Sequence, residues 1–195
     1  MSKRILIIQG HPDAGERHLN HALADAYAQG AADGGHEVRR VDVGALDFPV
    51  LRSKADWDTG SVPAGLVPAQ QAIGWAEHLV LFFPLWLGGM PALLKAFLEQ
   101  LARPGFAIAP PEAGSMGKKL LGGRSARIVA TMGMPALVYR WYFRAHSVKA
   151  LERNILGFVG IAPIHETLIG SVEGLDEDER RRWLEKLRKL GSEAA

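Results

Sequence analysis

Short apolar runs alternate with amphipathic stretches along most of this chain. The apolar runs carry little polar alternation, which is typical of strands that are buried on both faces of a sheet. Strands are predicted in this way at Arg4–Gln9, Leu79–Phe83 and Ala126–Met132. Glu37–Val43 is short and β-branched enough for a further strand, and Ile164–Ile169 fits a fifth. The run at 79–83 is the clearest, because it contains only Leu, Val and Phe before it stops at Pro84.

Segments with apolar residues at helical spacing lie between these runs. They predict helices over His18–Ala32, Ala69–Glu77, Pro91–Ala102, Val138–Phe158 and Asp176–Leu190. Two segments rich in Gly and Pro are predicted as irregular, Phe48–Pro68 as a long surface excursion and Arg103–Arg124 as a second connection. Strands that alternate with helices imply a parallel sheet with right-handed crossovers. The sequence therefore predicts a single doubly wound α/β domain over residues 1–195.

Composition narrows the classes of function. The formal net charge is +2, and no Lys/Arg run with interleaved aromatic residues is present, so nucleic acid is not predicted as a partner. The absence of cysteine excludes disulfides, Cys-ligated zinc and thiol catalysis. No apolar run reaches the roughly 20 residues of a membrane helix, because Pro84 and Pro91 interrupt the best one. We expect a cytoplasmic protein without membrane insertion.

The loops at the carboxyl ends of the strands are where such sheets bind ligands. The first of them, Gly10–Asn20, joins a strand to a helix N-terminus, where free N–H groups attract anions. Its side-chain donors are His11, Arg17, His18 and Asn20. The loop is therefore either a phosphate site or an ordinary turn between a strand and a helix.

Two further loops carry glycine at strand ends. Pro84–Met90 contains Trp86, Leu87 and two adjacent glycines, and an apolar loop of this kind is unfavourable to leave exposed. It favours contact with a planar ring, the alternative being core residues that extend into a loop. Thr131–Pro135 carries Gly133, where the backbone is able to approach a ligand closely or simply to turn.

Other chemistry-bearing residues give weaker patterns. His11, Asp13, His18 and His21 lie close together in the sequence, but no second cluster of metal ligands follows them. Capping roles are favoured, and no metal is predicted. Tyr142 and His146 belong to a long aromatic segment that is able to cover a bound ring. As catalytic candidates they would orient or protonate an acceptor, and the alternative is an ordinary surface or core role.

Several motifs together resemble one known family. They are ILIIQGHP at 5–12, PLWLGGMPALLKAFLEQ at 84–100, GFA at 105–107 and TMG at 131–133. On these pieces the chain resembles the flavodoxin-like NAD(P)H dehydrogenase (quinone) family, which contains DT-diaphorase-type reductases and the ancillary reductases of potassium efflux systems. The resemblance extends from Ile5 to about Leu190 and implies a five-stranded parallel sheet with strand order 2-1-3-4-5.

The resemblance also implies a function and a set of site residues. A bound flavin, FMN or FAD, would take a hydride from NAD(P)H and pass electrons to a quinone-like acceptor in ping-pong order, in a homodimer whose sites are completed across the interface. The phosphate contacts would be His11, Arg17, His18 and Asn20. The ring and ribityl contacts would be Pro84, Leu85, Trp86 and Leu87 on one side and Thr131, Met132 and Gly133 on the other.

Two alternative functions remain open. The first is a zinc-dependent deacetylase, because Gly10-His11-Pro12-Asp13 resembles the start of an H-P-D-D-E motif. Ala14 and Gly15, however, stand where that chemistry needs acidic residues. The second is a regulatory flavoprotein subunit of a transport system, which the same fold would accommodate.

Overall fold

The computed structural model describes residues 2–109 and 117–195 and contains one five-stranded sheet. The strands are β1 (Arg4–Gln9), β2 (Glu37–Asp42), β3 (His78–Pro84), β4 (Ser125–Thr131) and β5 (Ile164–Ile169). All neighbouring pairs are parallel, and the order is β2-β1-β3-β4-β5. This confirms the predicted fold class and strand order.

Helices cover both faces of the sheet. They are α1 (Leu19–Asp33), α2 (Lys54–Thr59), α3 (Val67–Trp75), α4 (Ala92–Leu101), α5 (Ala136–Trp141), α6 (His146–Ala150), α7 (Gly157–Val159) and α8 (Glu177–Ser192). A π-helical segment, Leu151–Leu156, joins α6 to α7. Short 3-10 turns lie at 43–45, 64–66 and 172–174.

Each central strand contributes to two separate cores, because successive side chains point to opposite faces. Leu81 and Phe83 pack on the side of α4, where Phe97 is fully buried. Val80 and Phe82 pack on the side of α1 and α8. The uninterrupted apolar run of β3 thus reflects burial on both faces, as its sequence predicts.

Two glycines set the distance between α1 and α8. A Cβ atom at Gly30 would lie 1.8 Å from the backbone oxygen of Arg188, and one at Gly191 would lie 2.1 Å from that of Tyr27. Neither helix has room for a side chain at these crossing points. The first and last long helices therefore pack backbone to backbone behind the sheet.

The predicted single helix over Val138–Phe158 is wrong, because the chain breaks between α5 and α6. Arg144 and Ala145 adopt positive φ angles of 53° and 50° there, and the chain then continues through the π segment. The predicted surface excursion Phe48–Pro68 contains α2 and the start of α3. Of the predicted irregular segment Arg103–Arg124, residues 110–116 lie outside the described residues.

Candidate functional site

The first loop leaves β1 by a close backbone contact. The Gly10 N–H donates to the Phe82 carbonyl oxygen at 2.7 Å, and a Cβ on Gly10 would lie only 2.7 Å from a methyl group of the buried Leu94. The chain then turns through His11, which is 7% exposed. The His11 N–H donates to the Gln9 Oε1 at 3.0 Å. Gln9 therefore fixes the start of the loop, a role beyond that of the strand residue predicted from the sequence.

Three histidine rings gather where this loop enters α1. The rings of His11 and His18 stack with centroids 4.0 Å apart, and His21 lies 5.2 Å from His11. His18 occupies the N-cap position of α1, and its N–H donates to the His21 Nδ1 at 3.1 Å. This arrangement agrees with the capping roles favoured by the sequence.

Burial affects the charge of two histidines in this cluster, His11 and His21. It lowers the pKa of His11, and the neighbouring His18 and His21 lower it further. Burial also lowers the pKa of His21. Burial therefore disfavours the charged forms of His11 and His21, and an anion bound beside them would raise their pKa values again.

Asp13 organises the exposed side of the loop. Its carboxylate lies 3.0 Å from the His18 Nε2 and accepts the Gly15 N–H at 2.8 Å. The hydrogen bond with His18 and the backbone N–H bonds lower the pKa of Asp13. Asp13, Glu16 and His18 also offer ligand atoms within 4.8 Å of one another, but they do so at the surface, with the Asp13 carboxylate already hydrogen-bonded.

Arg17 lies apart from the histidines. Its guanidinium contacts the Asp25 carboxylate, which also pairs with Arg40 at 2.6 Å. The Arg17 side chain is 76% exposed, so it is an outer member of the loop in this conformation.

Asn20 connects the first loop to the end of β4. Its Nδ2 donates to the Thr131 Oγ1 at 3.1 Å, and both residues are buried. Within the described part of the chain, the Asn20 Oδ1 and the Gln9 Nε2 are buried without hydrogen-bond partners. Buried polar atoms of this kind are uncommon, and two of them here mark the junction of the loops as a place for a polar ligand.

The second loop leaves β3 through a tight turn over Trp86–Gly89. The Trp86 N–H donates to the Gly89 carbonyl at 2.8 Å, and the Gly89 N–H returns the bond at 3.0 Å. Leu87 and Gly88 occupy the turn with φ angles of 49° and 77°. Leu87 is a non-glycine residue in the left-handed region, and its side chain is fully exposed.

This turn stands beside the first loop. The Trp86 ring is half-exposed and meets the His11 ring edge-on, with centroids 6.1 Å apart. Pro84 pairs in register with Thr131, and the Leu85 N–H donates to the Thr131 carbonyl at 2.7 Å. The structure thus brings residues of the three predicted loops to one edge of the sheet.

In the third loop, Met132 and Gly133 differ in whether they are exposed where a ligand could contact them. The Met132 N–H is used within the fold, because it donates to the Ile169 carbonyl at 2.9 Å, and the Met132 side chain is buried. Gly133 is exposed, one residue beyond. Of these two residues, Gly133 therefore presents its backbone at the surface.

Tyr142 and His146 are both exposed near the break between α5 and α6. The Tyr142 ring packs edge-on against Phe143 at 4.9 Å. The buried tyrosine of this segment is Tyr139, whose hydroxyl accepts the Val148 N–H at 3.3 Å. A Cβ on Gly89 would lie 3.5 Å from the Ser147 Oγ. The start of α6 therefore borders the Trp86–Gly89 turn that follows β3, here called the β3 turn.

A flavodoxin-like sheet with polar and apolar loops at its carboxyl edge defines the class of this protein. Residues 3–190 match the family model described as a flavodoxin-like fold, and the chain belongs to this family. The resemblance inferred from the sequence motifs is thereby confirmed.

Relatives of known name share most of the chain. It is 26% identical over 184 residues to an "Uncharacterized NAD(P)H oxidoreductase" of Haemophilus influenzae, covering 92% of this chain and 90% of that protein. It is 30% identical over 147 residues to the FMN-dependent NADH:quinone oxidoreductase of Ruegeria pomeroyi, covering 67% and 71%. Among solved structures, Smu.1420 of Streptococcus mutans superposes with a TM-score of 0.81 at 26% identity, covering 97% of this chain and 99% of that one.

Proposed function

We propose that this protein is an FMN-dependent oxidoreductase that uses NAD(P)H to reduce a quinone-like acceptor. The observation that carries the proposal is the pair of unpartnered buried polar atoms, Asn20 Oδ1 and Gln9 Nε2, at the junction of the predicted loops. Relatives named as NAD(P)H and FMN-dependent NADH:quinone oxidoreductases support the cofactor and the reaction. Elements from both ends of the chain pack on the one sheet, which supports a single functional domain.

The residues present fit a flavin mononucleotide. The phosphate would lie at the α1 N-terminus beside His11 and His18, with Arg17 closing over it from the surface. The unpartnered Asn20 Oδ1 and Gln9 Nε2 would form hydrogen bonds with the polar chain of the cofactor. Bound FMN would supply the chemistry of accepting a hydride and releasing electrons to the acceptor.

The apolar contacts would come from the other two loops. Pro84, Leu85, Trp86 and Leu87 would line one side of the ring, and Thr131, Met132 and Gly133 the other. The Gly133 amide is the backbone donor that we assign to the ring. The Met132 amide is used inside the sheet, so Met132 would contribute packing alone.

Tyr142 and His146 would act on the acceptor from the segment above the site. Both are exposed, and the adjoining Ser147 borders the β3 turn, which places the start of α6 beside a loop that would hold the ring. Their role would be to orient the acceptor and to supply a proton. Acceptor and NAD(P)H would occupy the same face in succession, which gives ping-pong kinetics.

A homodimer in the cytoplasm is part of the proposal. A groove of about 550 Å³ runs between the β3 turn and α6, and it is continuous through Lys95 and Ile155 with a pocket of about 140 Å³. Apolar residues from α4, α6 and the β3 turn line it, including Met90 and Leu151. A second copy seated here would complete the site. Among the described residues no helix is long and apolar enough to span a bilayer.

The two alternatives are not supported. The relatives reported above carry oxidoreductase names, and the exposed Asp13 is held by His18 and backbone N–H groups. Neither observation favours a zinc-dependent deacetylase or a regulatory subunit without turnover.

The proposal is tested by the absorbance spectrum of the purified protein and by chromatography of the flavin released from it. We expect FMN, together with oxidation of NADH or NADPH that depends on menadione. Bound zinc without yellow colour would contradict the cofactor. Bound FMN without turnover on any acceptor would contradict the enzymatic role. Asn20→Ala is expected to weaken FMN binding, whereas Gln29→Ala, on the exposed side of α1, serves as its matched control.

A further inference from the structure

An exposed aromatic patch lies on α5 and the break that follows it. It consists of Leu137, Val138, Trp141, Tyr142 and Phe143, here called the aromatic patch. Trp141 and Tyr142 are 77% and 79% exposed, and Leu137 is 70% exposed. Large apolar side chains clustered in this way mark a contact surface, because single exposed hydrophobic residues are ordinary but contiguous groups are not.

Positive charge surrounds this patch. Arg140, Arg144 and Lys149 are exposed within the same segment, and residues 136–151 contain no Asp or Glu. Two acidic residues border the segment: Glu166 on β5, whose carboxylate lies 3.9 Å from the Arg140 guanidinium, and Glu152, which directly follows residue 151. Arg144 has no salt-bridge partner among the described residues, so the three cationic side chains still outnumber these two carboxylates.

We propose that the aromatic patch and its arginine and lysine residues form a docking surface for an anionic lipid bilayer. Trp and Tyr concentrate at the interface between lipid and water, where the ring is apolar and the polar tip stays hydrated. Arg and Lys beside them reach the negatively charged headgroups while their stems pack against apolar surface. Contact of this kind is peripheral and needs no helix that spans the membrane.

Charge decides against a second copy of the chain as the occupant. A two-fold contact would bring the same surface together from both copies, so that Arg140, Arg144 and Lys149 of both would be gathered in one interface. Like charges in such a contact are repelled strongly. The groove between α4 and α6 is a different surface and holds both Lys95 and Glu99, which suits self-association better.

The position of the patch connects it with the proposed function, on which this step rests. The break that ends the patch leads directly into α6, whose Ser147 borders the β3 turn. A protein docked through α5 would hold the carboxyl edge of its sheet near the lipid. The acceptor class inferred from this placement is a quinone with a long apolar tail that is dissolved in the bilayer.

Binding of the FMN-loaded protein to vesicles tests the docking surface. Co-sedimentation is measured with vesicles of equimolar phosphatidylglycerol and phosphatidylcholine and with vesicles of phosphatidylcholine alone. We expect binding to the anionic vesicles that weakens with added salt. Arg144→Gln should lower the partition coefficient about fivefold, and Trp141→Ala should lower it further. Arg182→Gln, which removes the same charge from exposed α8, is the matched control and should bind as the wild type does.

Several outcomes would overturn the proposal. Equal binding to the two vesicle types would do so, as would wild-type binding by both Trp141→Ala and Arg144→Gln. A change in oligomeric state with Trp141→Ala would show that the patch is a contact between copies. The proposed function fails separately, through the absence of FMN or of menadione reduction. If a protein reduces menadione but ignores anionic vesicles, the docking surface alone is refuted.

Discussion

Leu87 combines a left-handed backbone conformation with a fully exposed apolar side chain, and a substitution that removes both should stabilise the protein. Its φ angle of 49° places it in the left-handed region, and its side chain is fully exposed. A left-handed conformation disfavours an ordinary residue by about 1 kcal/mol or more, whereas Asn adopts it several times more readily. The turn geometry of Trp86–Gly89 is the kind in which Asn followed by Gly is preferred.

Leu87→Asn is therefore expected to stabilise the flavin-free protein by about 1 kcal/mol, which corresponds to an increase in Tm of about 2–4 °C for a chain of this size. The same substitution removes an apolar side chain that we assign to the ring. Burial of a Leu side chain is worth about 1.5–3 kcal/mol, so FMN affinity should fall by about tenfold or more. The free energy of folding lost through backbone strain at Leu87 would then be regained when its side chain is buried against the bound flavin.

Urea unfolding of the flavin-free protein and fluorescence titration with FMN measure the two effects separately. Gly88→Ala is the matched control within the turn, because a Cβ there would meet nothing within 4 Å and only its φ of 77° opposes it. It should destabilise the protein by about 1 kcal/mol. The reasoning about strain is refuted if Leu87→Asn unfolds at the same or a lower urea concentration than the wild type. Unchanged FMN affinity would instead show that Leu87 does not touch the cofactor.

Three further substitutions test other parts of the structure. Asn20→Ala removes the 3.1 Å bond to the Thr131 hydroxyl and the unpartnered Oδ1, so titration should show FMN affinity reduced about tenfold, with little change in flavin-free stability. Gly30→Ala should destabilise the protein by about 3 kcal/mol, measured by urea unfolding, because its Cβ would meet the Arg188 backbone at 1.8 Å. Burial lowers the pKa of His78 from 6.5 to about 4, so the unfolded chain binds more protons between these values. The free energy of unfolding should fall by up to about 3 kcal/mol as the pH drops through that window, and urea unfolding of His78→Asn should show a shallower fall.

The central strands were predictable because they are almost continuously apolar, unlike β2 and β5, which carry charged residues. A run such as 79–83 has no polar residue that would suit a solvent-facing side, so burial on both faces follows from the letters alone. The break at Arg144 and Ala145 was not predictable in the same way. Neither residue is a turn former, and the positive φ angles arise where α5 and α6 both pack on the core through Tyr139 and Val148.

The site was predictable as a set of loops but not as a set of contacts. The rule that ligands lie at the carboxyl edge of a parallel sheet brings Asn20 and Thr131 together, and the structure joins them by a hydrogen bond. Which side-chain atoms stay free to bind a ligand depends on local pairing that the sequence does not show. Arg17, for example, pairs with Asp25. Gln9 is not among the predicted site residues, although a lone polar residue at the end of an apolar strand is a sign of a role outside the core.

The backbone contact between α1 and α8 has a consequence for how the protein is made. Synthesis proceeds from the amino end, so α1 leaves the ribosome long before the residues that cover it. Tyr27 of α1 packs against Phe82 of the sheet, but the core that they share is completed only by Leu187 of α8. The core on this face of the sheet is therefore closed only after nearly all of the other elements have been synthesised.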